Sequence, residues 1–237
     1  MQFPTLRNSF FALALVATSF SSSLLTACST NISSSQEPNT ATTTTDTSNQ
    51  QHMNHGGGMM DHSGMHHGMT MDLGPADASY DLRFIDAMIP HHQGAVEMAS
   101  VAQQKSQRPE IKKLADEIIK AQNQEISQMK QWRTTWYPKA GDQPVAYDAQ
   151  QKKTVPMSSQ HMQAMMMNMD LGAADAEFDL RFINAMIPHH EAAVVMAKDA
   201  AQKSQRPEIK NLAQEIIKAQ DTEINQMKQW RKAWYNK

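Results

Sequence analysis

One cysteine, Cys28, is all the thiol this chain of 237 residues carries. A disulfide within the chain, a zinc finger and a cysteine nucleophile are therefore excluded. So is a blue-copper centre, which needs a Cys ligand. There is no basic excess: the formal net charge is −2. That leaves nothing to neutralise a phosphate backbone, so nucleic acid is not a partner. Aromatics are only 6% of residues and Gly is low at 9. Both scarcities lean towards helix rather than a β-sandwich.

The chain has instead 19 Met and 10 His, and they are not scattered. Apart from Met1, they fall into two tracts and a set of matched positions. Core filler would show no such grouping. The first tract, residues 52–71, reads HMNHGGGMMDHSGMHHGMTM. Its candidate ligands are His52, Met53, His55, Met59, Met60, His62, Met65, His66, His67 and Met69. The second runs from Met157 to Met169 and offers His161, Met162, Met165 and Met166. The matched positions are Met88/Met186, Met98/Met196, Met129/Met227, His91/His189 and His92/His190. Thioether and imidazole together suit copper, Cu(I) above all, with His also taking Cu(II). Silver is the natural surrogate; zinc and nickel are alternative occupants. In an oxidising compartment thioethers survive where Cys would be lost to disulfides or higher oxides.

Export is expected from the N-terminus. Arg7 precedes a largely apolar run, Phe10 to Phe20, and Leu25-Thr26-Ala27-Cys28 follows. That tetrapeptide resembles the bacterial lipobox, whose Cys becomes the lipid-modified first residue. Residues 1–27 are then a signal peptide and Cys28 the lipidation site; an ordinary signal peptide cleaved after Ala27, with Cys28 there by chance, is the alternative. The expected location is the periplasm or cell envelope, with a lipid anchor in the outer membrane as the membrane contact. Residues 28–71 read as a disordered tether, poor in apolar side chains and ending in the Met/His tract.

Residues 72–137 recur as residues 170–235 without a gap, with roughly three positions in four identical. DLRFIDAMIPHH returns as DLRFINAMIPHH. Each copy predicts two helices. Asp77 and Asp175 are candidate N-caps. The helical spacing of Leu82, Phe84, Ile85, Met88, Ala95, Met98 and Ala102 marks the first helix. The pattern breaks at Lys105 to Arg108, and Pro109 suits the first turn of the second. Two hairpins bury their apolar faces as one all-α four-helix bundle with pseudo-twofold symmetry. Two bundles completed by dimerisation are the alternative, so monomer and dimer both stay open. Between the copies, residues 138–169 form a linker whose Met tract suits a short amphipathic helix on the bundle.

Met88, His91 and His92 share one helix turn, as do Met186, His189 and His190. Pro90 and Pro188 just before the His pairs remove a helix hydrogen bond. Across an antiparallel hairpin these positions face Glu125 and Met129 (Glu223 and Met227). A ligand set of Met88, one or both His and Met129 follows, with Glu125 orienting an imidazole. A buried Glu–His network without metal, and solvent-facing histidines, are the competing readings. So is Met98 as core filler.

The motif F-x-x-A-M-I-P-H-H, followed by L-A-x-x-I-I-x-x-Q-x-x-E-I-x-x-M-x-x-W, resembles the bacterial domain-of-unknown-function family numbered three hundred and five. The resemblance covers both copies. It implies a ferritin-like helical bundle and a periplasmic copper-binding role in copper tolerance. It points to Met88, His91, His92, Met98, Glu125 and Met129, and to Met186, His189, His190, Met196, Glu223 and Met227. The reading is a non-enzymatic copper-binding protein, with the metal ion as partner and a copper efflux or delivery protein as a further one. A ferritin-like metal oxidase and a metal-free interaction module are the alternatives. Against the oxidase, neither copy has a Glu three residues before a His.

Overall fold

A computed structural model describes residues 72–237. Cys28 and the whole tract from His52 to Met71 lie outside the described residues. Among the described residues the order is α1 (Tyr80–Lys105), α2 (Pro109–Trp136), β1 (Val145–Asp148), β2 (Lys153–Pro156), α3 (Ser159–Met166), α4 (Phe178–Lys203) and α5 (Pro207–Tyr235). The protein is thus all-α, with one small antiparallel hairpin of strands. No described helix is long and apolar enough to cross a membrane.

Each repeat forms a helical hairpin. The joins are three residues long, and Pro109 and Pro207 open the second helices at a position where no N–H is needed. Asp77 and Asp175 are not the N-caps. The helices begin at Tyr80 and Phe178, behind Ser79 and Glu177. Each Asp instead accepts from the backbone N–H two residues on, at 2.9 and 3.0 Å, and pairs with Arg83 or Arg181 at 2.8 Å. This turn chemistry competes with capping for the same carboxylate.

The hairpins interlock. One apolar cluster joins Met98, Ile111 and Leu114 of the first repeat to Phe182, Met186 and Met227 of the second. Its mirror joins Phe84, Met88 and Met129 to Met196, Ile209 and Leu212. The open end of each hairpin is thereby closed by the loop end of the other. Arg108 lies 4.2 Å over Trp234 and Arg206 4.2 Å over Trp136, so each join clamps the far helix of the other repeat.

The linker breaks the symmetry by packing mostly against α1, with further contacts to Arg133 of α2 and His189 of α4. Buried Asp86 binds Arg133 at 2.6 Å and accepts from the Val145 N–H at 2.8 Å. Burial pushes the Asp86 carboxyl above its ordinary range, although Arg133 and the Val145 N–H pull the other way. In the second repeat the equivalent residue is Asn184, exposed, with only a 3.3 Å contact to Arg231. Asp86→Asn is therefore expected to weaken the linker's seat by about 1.5–3 kcal/mol, the range for hydrogen bonds to a charged group. A thermal melt against the parent chain measures it.

Candidate metal centre

Four imidazoles, from His91, His92, His189 and His190, meet at the heart of the bundle, each at most 1% exposed. None faces solvent. Both helices run on through Pro90 and Pro188, so Met88, His91 and His92 share the inner surface of α1, and Met186, His189 and His190 that of α4.

His91 and His189 stack on each other, ring centroids 3.9 Å apart and planes 15° from parallel. His91 Nδ1 lies 2.8 Å from the Met165 carbonyl, and its Nε2 lies 3.0 Å from the His189 carbonyl. A neutral imidazole carries one N–H, so one of these nitrogens meets a carbonyl oxygen with a lone pair. Protonation would satisfy both, but burial opposes it and pushes the His91 pKa down to about 4. Burial, with the neighbouring imidazoles, also pushes His189 well below its ordinary value. The His189 Nε2–H donates to the Met166 carbonyl at 3.1 Å.

These shifts make the metal-free fold acid-sensitive. The folded-state value is depressed below the ordinary 6.5. The associated stability is present above that value and is lost as pH falls towards 4. For His91 alone the loss approaches about 3 kcal/mol, and His189 adds to it in the same direction. Melts between pH 7 and about pH 4.5 should show a steep decline that His91→Gln makes shallower. A flat profile in the parent chain would contradict neutral buried imidazoles.

The outer pair behaves differently. His190 Nε2–H donates to Glu223 Oε2 at 2.7 Å. His92 and Glu125 stand at the same 2.7 Å, less well aligned. For His190 the carboxylate fixes the proton on Nε2 and leaves Nδ1 without a partner; for His92 the 2.7 Å approach is out of hydrogen-bond line, and both ring nitrogens lack a hydrogen-bond partner. Nδ1 of His92, His190 and His189 has no hydrogen-bond partner, and each of these atoms is buried. A carboxylate behind an imidazole is how proteins orient a histidine towards a metal. Gln122 and Gln220, one turn along α2 and α5, also keep a buried Oε1 without a partner. An unpartnered buried polar atom costs about 1–3 kcal/mol. The arrangement repeats in both halves, which is a poor way to build a plain core.

One turn from each His–Glu contact, back along the first helix and on along the second, stand Met88 with Met129 and Met186 with Met227. All four are fully buried. Met98 does not stay with its own repeat's pair. It belongs to the cluster of Met186 and Met227, and Met196 to that of Met88 and Met129. Each apolar cluster thus contains methionines of both repeats. Among the described residues no three His, Cys, Asp or Glu side chains form a group that could hold a metal ion.

The second tract is split up by folding. Met165 is buried at 1% exposure and joins the Met88 cluster. His161 and Met162 line two separate surface clefts. Met166 is half-buried, and it is its carbonyl that reaches His189. Sequence reasoning missed these carbonyl contacts and the role of Gly94. A Cβ at Gly94 would stand 1.8 Å from the Met166 carbonyl oxygen. The clue was there: the second copy has Ala192 at this position, with no α3 against it.

Proteins of known structure share this fold. Solved structures of CopM are similar. Its Cu(II)-bound form is 43% identical over 65% of this chain and 97% of that one, with a TM-score of 0.53. A fragment from Deinococcus radiodurans of the same family is 27% identical over 65% of this chain and 95% of that one, with a TM-score of 0.51. An uncharacterised protein, L153, of Acanthamoeba polyphaga mimivirus is 45% identical over 49 residues, 21% of this chain. The matched stretch spans only 32% of that relative's length. The profile described as "Domain of unknown function (DUF305)" matches residues 81–231, across both hairpins and the linker between them. The chain belongs to the DUF305 family.

Proposed function

We propose that this chain is an exported copper-binding protein. It holds Cu(I) and Cu(II) in the bacterial cell envelope and hands them on, contributing to copper tolerance. One observation carries the reading. Two buried imidazoles, each backed by a carboxylate at 2.7 Å, present unpartnered Nδ1 atoms beside fully buried thioethers. Sulfur with imidazole, in a site closed to water, selects a soft cation. Support comes from CopM, whose solved forms include Cu(I)-, Cu(II)- and Ag-bound ones. Further support comes from the lipobox-like Leu25–Cys28 and the Met/His tract that follows it. Carriage is favoured over oxidation because neither repeat carries the Glu-x-x-His pairs of a dinuclear carboxylate oxidase.

Glu125→Gln with Glu223→Gln removes the carboxylates and keeps the volume. Loss of such backing groups typically weakens metal affinity about 10- to 100-fold. Competition of the purified chain against a Cu(I) chelator reads the change. Cells lacking the protein should be copper-sensitive and rescued by the parent chain better than by the double variant. Equal affinity and equal rescue would remove the proposal's basis.

A further inference from the structure

We propose that the linker makes the two duplicated metal half-sites unequal, with Met165 adding a fourth thioether to one of them. The inference rests on the copper-binding reading above and goes beyond it, because duplication alone predicts two equal halves. The half-site of the second repeat's helix pair has Met186, Met227 and Met98 in its cluster. The other has Met88, Met129, Met196 and also Met165.

Met165 is not a surface residue that happens to fold inward. It is the buried side chain of an eight-residue helix whose other positions are exposed or half-buried. The helix is seated on the centre from three directions. The Met165 carbonyl lies 2.8 Å from His91 Nδ1. The Met166 carbonyl accepts from His189 at 3.1 Å. Gly94 supplies the only side chain small enough for the Met166 backbone to come so close to α1. Met167 then leaves α3 in the left-handed region, at φ 46°. Among the described residues no such strap crosses the second repeat, and Ala192 fills the place of Gly94. A flexible thioether buried in the same apolar cluster as Met88, Met129 and Met196, its helix backbone pinned by two imidazoles, is placed as a ligand is placed.

Full-length chain labelled with 13C at the methionine methyls tests this by NMR, with Ag(I) as the probe and its free concentration buffered. Signals of Met88, Met129, Met165 and Met196 should move together. They should do so at about tenfold lower free Ag(I) than those of Met98, Met186 and Met227, equivalent to roughly 1.4 kcal/mol. Met165→Leu, which conserves volume, should bring the two sets to the same midpoint. A thermal melt checks that the variant is folded. Equal midpoints in the parent chain would overturn the proposal, as would a Met165 signal that stays still while Met88 moves. If none of these seven signals moves while the chain still retains silver, metal binding in the bundle fails along with the inequality. If only the midpoints coincide, metal binding in the bundle stands and the inequality alone falls.

Discussion

Replacing His92 and His190 together by Gln is expected to lower the bundle's affinity for Cu(I) by more than about a hundredfold. Loss of an outer-shell partner alone typically costs 10- to 100-fold, and a direct ligand costs more. These two histidines offer buried Nδ1 atoms without a partner, each ring having a carboxylate 2.7 Å from its Nε2. His91 has both nitrogens against carbonyl oxygens. His91→Gln should therefore change stability more than affinity. The comparison is made by chelator competition, with the ligands of the His52–Met71 tract replaced in every chain so that only the bundle reports. Equal losses from His91→Gln and from the double variant would mean that the orphaned nitrogens do not choose the ligand.

Gly94→Ala is expected to unseat α3. The new Cβ would meet a backbone oxygen at 1.8 Å and its carbon at 2.8 Å, neither of which a rotamer change can move aside. Overpacking of this kind costs about 1–3 kcal/mol, occasionally more. Ala gains back up to about 1 kcal/mol of helix propensity. A net loss of about 1–2 kcal/mol should lower the melting temperature by roughly 2–8 °C for a domain of this size. Backbone amides of α3 should exchange faster, because Met165 loses its burial. The reverse change in the second repeat, Ala192→Gly, should cost about 1 kcal/mol of helix propensity and move nothing.

The contrast between these positions shows where the sequence could be read and where it could not. The helices were legible because apolar periodicity and Pro109 and Pro207 mark them without help from the rest of the chain. The inner face was legible because Met88, His91 and His92 fall on one turn and Glu125 and Met129 face them across a hairpin. Burial of all four histidines was not, since adjacent residues point about 100° apart and one of each pair was as easily placed in solvent. The stack of His91 on His189 and the exchange of Met98 and Met196 between hairpins depend on how the two repeats dock. No local pattern encodes that. The strand hairpin also escaped notice, because its turn puts Lys152, not glycine, at positive φ. In hindsight the differences between the copies carried the missing information. Asp86 against Asn184 and Gly94 against Ala192 mark the surface where the linker sits.

Crystals of the full chain soaked in Ag(I) and read by anomalous scattering test the central claim most directly. Peaks are expected inside the bundle, one beside His92 Nδ1 and the Met88 sulfur, the other beside His190 Nδ1 and the Met186 sulfur. Silver found only on the exposed methionines, with both interior positions empty at saturating metal, would contradict the account.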